Sequence, residues 1–104
     1  MTVLAYLRFV LDEEADRAAF ELDLAAMMDL ADAQEGFRWG EIGRDPWDER
    51  TYIVVSEWDE IDQVRAFEHH PGHEPIIDRW EPHYAEEMTH RRFVPRAGRE
   101  SPKA

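Results

Sequence analysis

Hydrophobic and polar residues alternate along three short segments of the chain, and this period of two predicts β-strands. The segments are residues 2–10, 37–43 and 50–58. Both faces of the first segment carry apolar side chains, and the third segment contains the unbroken apolar run Ile53-Val54-Val55. Asp45-Pro46 lies between the second and third segments and is a strong turn signal, so these two segments are predicted to form a hairpin.

Between the first two strands, apolar residues recur at helical spacing and predict a long helix over residues 12–34. Asp12 is its predicted N-cap, because an aspartate there accepts a hydrogen bond from a free backbone amide of the first turn. Gly36 follows the helix and suits a C-terminal cap. The predicted buried stripe consists of Phe20, Leu24, Met27, Met28 and Ala31.

A second helical region follows the third strand, and it is broken. Residues 60–69 predict a short helix, Pro71-Gly72 interrupts it, and residues 73–88 predict a further helix. Pro82 predicts a kink or an early end of that last helix, because proline removes a backbone donor. Residues 90–94 predict a short fourth strand.

The order of these elements, βαββαβ with the second helix broken, predicts an α+β domain of the ferredoxin-like type, with an antiparallel four-stranded sheet and helices on one face. The domain is predicted over residues 1–95, and residues 96–104 have the composition of a disordered tail. Two strands are apolar on both faces, whereas a sheet with one face in water is expected to alternate. Either a second subunit covers the open face in a two-fold homodimer, or some apolar side chains are simply exposed. We expect the homodimer.

Charge and composition narrow the classes of function. The net charge is −12, with 24 acidic against 12 basic residues, which disfavours nucleic acid because binding it requires lysine and arginine against phosphates. The chain has no cysteine, which excludes disulfides, thiolate metal sites and thiol catalysis. No apolar run approaches the roughly 20 residues that span a bilayer, and the N-terminus lacks a signal-peptide pattern. We therefore expect a soluble cytoplasmic protein with no membrane or nucleic-acid partner.

Three segments together resemble the antibiotic biosynthesis monooxygenase family, whose members are small dimeric α+β barrel proteins. They are Gly36-Phe37 at the start of the second strand, Val55-Ser56-Glu57-Trp58 at the end of the third, and Ala66-Phe67 leading to Pro71-Gly72-His73. The resemblance spans about residues 2–95. It implies a homodimer whose two sheets form a barrel, with a pocket between sheet and helices in each subunit. Some members oxidise polyaromatic phenols with dioxygen and no cofactor, others cleave haem, and others have no assigned activity.

The chain departs from both active-site patterns that this resemblance brings. Quinone-forming oxygenases carry an asparagine four residues before the tryptophan, where this chain has Val54. Haem-degrading members carry an asparagine near the middle of the first strand, where this chain has Tyr6, Leu7 and Arg8. They also carry a histidine near the position of Ile76. Both sites are therefore incomplete, which leaves the reaction open.

The candidate site gathers aromatic residues and histidines near one end of the predicted sheet. Trp58 and Phe67 would hold a planar ring, and the alternative for Trp58 is a core residue that caps the sheet. His73 or His70 would be the catalytic base, since histidine ionises near neutral pH. The plainer alternative for His73 is a surface or capping residue.

Two further groups have both a functional and a structural interpretation. Trp80 and Tyr84 are four residues apart on one helical face, and they either line the pocket or pack in the core. A cluster of three histidines invites a metal, but Pro71-Gly72 breaks the helix that would align His69 with His73. We therefore predict no metal site.

Together with these residues, the resemblance implies a cofactor-independent monooxygenase that acts on a small planar phenolic substrate with dioxygen. One alternative is a haem-binding or haem-degrading monooxygenase, in which a histidine at the entrance of the pocket is an axial ligand. The other is a dimeric small-molecule-binding protein that is not an enzyme, and the missing asparagines favour it. The three differ in whether haem binds and in whether the ligand is changed under air.

Overall fold

The structure, a computed structural model, describes residues 1–96, and that part of the chain contains four strands and three α-helices. The strands are β1 (Val3–Val10), β2 (Phe37–Arg44), β3 (Thr51–Trp58) and β4 (Thr89–Phe93). The helices are α1 (Arg17–Asp32), α2 (Ile61–Glu68) and α3 (Glu74–Trp80), and one turn of 3-10 helix, Glu81–His83, follows α3. None of the described helices has the length and apolar character needed to cross a membrane. The predicted disordered tail lies outside the described residues from residue 97 onwards.

All four strands pair antiparallel in one sheet, in the order β2-β3-β1-β4. The central strands are therefore β3 and β1, the two whose sequences are apolar on both faces. The register places Tyr6 of β1 between Val55 of β3 and Arg91 of β4. The element order and the sheet confirm the predicted ferredoxin-like α+β fold.

The long helix begins one turn later than the sequence pattern predicted. Its N-cap is Asp16, whose Oδ1 accepts a hydrogen bond from the backbone N–H of Ala19 at 3.1 Å. Asp12, the predicted N-cap, instead continues the extended segment after β1, and its backbone N–H donates to the carbonyl of His83. The prediction was wrong because both aspartates precede the helical stripe and either could serve as its cap. The pairing of Asp12 with the distant residue His83 leaves Asp16 as the cap.

The break and the early end of the second helical region follow the prolines. Residues 69–73 separate α2 from α3, and α3 ends at Trp80 instead of continuing to residue 88. Pro82 lies in the 3-10 turn that closes the helix, and it has no N–H to extend the helical ladder. Tyr84, just beyond this turn, forms a β-bridge with Leu11. The prediction of one helix over residues 73–88 was therefore wrong, and the early end predicted at Pro82 is confirmed.

Two clusters of buried side chains fill the space between the sheet and the helices. One contains Phe9, Phe20 and Trp80, and the other is centred on Trp58 and Val64. In the first cluster the rings of Phe20 and Trp80 meet edge to face, with centroids 5.0 Å apart. Residues of both clusters line the cavity that carries the candidate site.

The other face of the sheet has no described helix over it and carries apolar side chains. Alternation along the strands places Leu4 and Tyr6 of β1 on this open face, together with Ile53 and Val55 of β3. Trp39 of β2 lies on the same face, next to Glu57. These apolar side chains are partly exposed. This open face is the one that the predicted homodimer would cover.

Candidate functional site

A cavity of about 370 Å³ lies between the helix side of the sheet and the three helices. The strands line it with alternate residues: Ala5, Leu7 and Phe9 from β1, Val54, Ser56 and Trp58 from β3, and His90 and Arg92 from β4. The helices add mostly apolar side chains, among them Leu24, Met27, Met28 and Ala31 from α1, Val64 and Phe67 from α2, and Ile77 from α3. A concave, largely apolar space of this size is typical of small-molecule sites.

Trp58 is a core residue, as its structural interpretation predicts, and it also forms part of the cavity wall. Its side chain is only 2% exposed, and its ring lies between those of Phe37 and Phe67, at centroid distances of 5.2 and 5.4 Å. The indole Nε1–H donates to Ser56 Oγ at 3.0 Å. Because this donor is used, Trp58 offers the cavity its ring surface.

His73 lies in the cavity wall at the break between α2 and α3. It is 9% exposed, and its ring meets the ring of Phe67 edge to face at 4.8 Å. Its Nδ1 has no hydrogen-bond partner among the described residues. Burial lowers the pKa of His73 below its ordinary value, against the opposing effect of the carboxylates of Glu68 and Glu74. A neutral imidazole can accept a proton, which suits the predicted base.

The neighbouring histidines lie differently. His70 does not line the cavity; its Nδ1 accepts a hydrogen bond from the backbone N–H of Gly72 at 2.9 Å and so shapes the turn before His73. His69 does line the cavity, and its Nδ1 lies 3.5 Å from Glu74 Oε1 at an exposed position. Within residues 1–96, no group of three potential metal ligands is arranged to hold a metal ion.

Trp80 and Tyr84, the other predicted lining residues, pack in the first cluster and do not line this cavity. Trp80 donates its Nε1–H to Asp23 Oδ2 at 2.6 Å. The ring of Tyr84 packs against Phe9 with centroids 5.6 Å apart, and burial raises the pKa of its hydroxyl. The structure therefore brings Trp58, Phe67 and His73 together at the cavity and places Trp80, Tyr84 and His70 outside its wall.

The polar rim of the cavity was not predicted from the sequence, apart from His69, which was considered only as a metal ligand. The rim consists of Glu68, His69, Glu74, Asp78, His90 and Arg92. Arg92 Nη2 donates to Glu68 Oε1 at 2.6 Å, and this ion pair joins β4 to α2. A signal for the β4 members was present, because His90 and Arg92 are two residues apart in a predicted strand and must share a face. Which face they share depends on the pairing with β1, where Arg92 lies opposite Ala5.

The profile of the family described as antibiotic biosynthesis monooxygenase matches residues 1–79 of the chain. Comparison with curated protein sequences gives no match. Among solved structures, the chain is similar to SnoaB, a cofactor-independent oxygenase from Streptomyces nogalater. The two share 22% sequence identity with a TM-score of 0.82, and the alignment covers 93% of this chain and 95% of that chain.

Two further solved structures are similar over nearly the whole chain. Rv0793 from Mycobacterium tuberculosis is 15% identical with a TM-score of 0.87, and the alignment covers 96% of this chain and 100% of that chain. A dimeric ferredoxin-like protein of unknown function from Thermobifida fusca is 21% identical with a TM-score of 0.74, covering 90% and 91% of the two chains. At these low identities, the likenesses establish the fold.

Proposed function

Because this chain belongs to the antibiotic biosynthesis monooxygenase family, we propose that it is a cofactor-independent monooxygenase that oxidises a small planar phenolic substrate with dioxygen. The observation that carries the proposal is the buried imidazole of His73, which has a lowered pKa and lies in one cavity wall with Trp58 and Phe67. The similarity of the fold to SnoaB, a cofactor-independent oxygenase, supports the same chemistry.

In the proposed reaction, His73 takes the acidic proton of an activated phenol or enol. The substrate anion transfers one electron to dioxygen, and the resulting radicals combine at a ring carbon that carries a hydrogen. The peroxide so formed takes the proton back from His73, and loss of the hydrogen of that carbon with cleavage of the O–O bond leaves a carbonyl group and water. One oxygen atom enters the substrate and the other leaves in water, so the electrons balance without a metal or flavin. The rings of Trp58 and Phe67, which pack against each other, would together form one wall against the substrate ring and keep water away from the anion.

Oxygen uptake tests this proposal. With anthrone as the probe substrate, the purified protein should consume dioxygen faster than buffer alone, and His73→Ala should lose most of that excess because the base is gone. His83→Ala is the matched control, since His83 is exposed and does not line the cavity. Uptake no faster than in buffer, or full activity in His73→Ala, would remove the enzymatic proposal.

A second candidate function is a small-molecule-binding protein that does not change its ligand. The observation that favours it is Val54, an apolar side chain in the cavity wall at the position where quinone-forming relatives carry an asparagine. A ligand that binds in the cavity and is recovered unchanged under air would support this candidate against the oxygenase. A Soret band on titration with haem would instead point to the haem-dependent alternative.

The same proposal includes a homodimer in which the open faces of two sheets meet. The apolar residues of the open face, at its centre Tyr6 and Val55 paired across β1 and β3, support it because such a surface is costly to leave in water. The similar protein from Thermobifida fusca is dimeric, which supports the same arrangement here.

A further inference from the structure

The polar rim contains one fixed positive charge that the proposed proton transfer does not use. Among the described residues that line the cavity, Arg92 is the only arginine or lysine. The three carboxylates of the rim belong to Glu68, Glu74 and Asp78. At this rim, the three carboxylates would repel an anion formed inside the cavity and Arg92 would attract it.

Arg92 is held in place at the edge of the cavity. It projects to the same face of the sheet as Ala5, its partner in the β1–β4 register, whose small side chain also lines the cavity. Its guanidinium donates to Glu68 at 2.6 Å and to the backbone carbonyl of Arg91 at 3.1 Å, and its side chain is 23% exposed. A guanidinium has five N–H donors, so these two bonds leave donors for a ligand.

Glu68 connects Arg92 to the predicted base. Its carboxylate forms the ion pair with Arg92, and its negative charge also raises the proton affinity of His73. When His73 becomes an imidazolium, it attracts Glu68 more strongly, while a new substrate anion attracts Arg92. One ion pair can thus become two, which favours the charge-separated state that proton transfer creates.

We propose that Arg92 is an oxyanion subsite of this cavity: it binds the phenolate or enolate oxygen of the substrate, and Glu68 sets the strength of that binding by sharing the guanidinium. The inference rests on the proposed function and goes beyond it, because it assigns the substrate an acidic oxygen at the β4 edge of the cavity. It also predicts that a planar ring without an acidic hydroxyl group binds more weakly than the same ring with one.

The test is a spectroscopic titration of bound 4-nitro-1-naphthol, a flat phenol whose anion absorbs at a longer wavelength than its neutral form. Arg92→Gln should raise the pKa of the bound dye by about one unit or more, which corresponds to roughly tenfold weaker binding of the anion. Glu68→Gln should lower the pKa of the bound dye, because it leaves Arg92 free for the naphtholate. Arg92→Lys, which keeps the charge, should restore part of the wild-type value.

The matched control for charge is Arg65→Gln. Arg65 lies on α2 like Glu68, but it is exposed, pairs with Asp62 and does not line the cavity. Its loss removes one positive charge and should leave the pKa of the bound dye unchanged. If Arg92→Gln does not fold, Glu68→Gln still decides, since its shift is predicted in the opposite direction.

The results of the titration distinguish failure of the oxyanion subsite from failure of the proposed function. If the dye binds in the cavity and titrates identically in wild type, Arg92→Gln and Glu68→Gln, the oxyanion subsite is overturned and the proposed function stands. If none of the proteins binds the dye, the phenol-binding cavity fails and takes the subsite with it.

Discussion

His73 owes its environment to the turn that precedes α3. His70 Nδ1 accepts from the N–H of Gly72, and the carbonyl of His70 accepts from the N–H of His73, both at 2.9 Å. This turn directs the imidazole of His73 against Phe67 and away from water. His70, predicted as an alternative base, thus helps to position His73 without lining the cavity.

The burial of His73 has a consequence for stability. Because its pKa is lower in the folded protein than the ordinary value of about 6.5 in the unfolded chain, the unfolded state binds the proton more readily. The contribution of His73 to the free energy of unfolding is therefore fully present above the pKa of the unfolded chain, and it is lost as the pH falls toward the lower pKa of the folded protein. The free energy of unfolding, measured by urea denaturation, should therefore decrease as the pH is lowered from about 7 through the ordinary histidine pKa of about 6.5.

The variant His73→Gln should show a smaller decrease over the same range, because it lacks the group. His83→Gln replaces an exposed histidine and should follow the wild type. Identical pH dependence in wild type and His73→Gln would contradict the buried, preferentially neutral imidazole.

At the scale of single residues, the aromatic wall and the histidine could be predicted from the sequence, but their polar partners could not. Trp58, Phe67 and His73 follow recognisable strand-end and helix-break signals, so their approximate positions were predictable. The Arg92–Glu68 pair depends on which face of β4 meets the helices and on how α2 packs. Those relations are tertiary, and neither the spacing nor the composition of the chain contains them.

At the scale of elements, local signals located the strands and breaks better than they located the start of α1. Asp16 caps this helix through the N–H of Ala19, while Asp12 accepts from the N–H of Glu14 in a local turn. The two carboxylates offer similar chemistry to different backbone amides. The helix boundary was set by the extension of β1, where Leu11 donates to the carbonyl of Arg50.

This difference predicts unequal effects of two similar substitutions. Asp16→Ala should destabilise the protein by about 0.5–2 kcal/mol, because it removes the cap of a 16-residue helix. Asp12→Ala should cost less, because it removes only the side-chain bond of a surface turn. Thermal denaturation of the two variants at equal protein concentration makes the comparison, and a larger loss for Asp12→Ala would contradict the assigned cap.

At the scale of the whole molecule, the two faces of the sheet differ in what lies against them. On the helix side, Val54 lines the cavity, while its neighbour Val55 lies on the open face between Tyr6 and Glu41. From the sequence alone, the apolar run in β3 predicted a covered open face but did not show which valine belonged to it. The register of the sheet supplies that distinction.

We predict a homodimer that is held together through Val55. Light scattering should give twice the 12.3 kDa mass of the chain, and denaturation midpoints should rise with protein concentration because folding and association are coupled. Val55→Asp should give a monomer or an aggregate, because it buries an unpaired charge in the interface.

The control for the dimer is Leu22→Asp, a charge placed on the exposed side of α1, where the side chain is 73% exposed. This variant should remain dimeric. A stable 12.3 kDa species for the wild type at micromolar concentration would contradict the homodimer.

The fate of molecular oxygen is the most direct measurement of the central claim, that this cavity oxidises a phenolic ring without a cofactor. Under ¹⁸O₂ and in the presence of a chelator, the protein should convert anthrone to a quinone that carries one labelled oxygen atom, with one dioxygen consumed for each substrate molecule. His73→Ala should reduce this product to the level formed in buffer. A product without label, or labelled product formed no faster with protein than in buffer alone, would contradict the account.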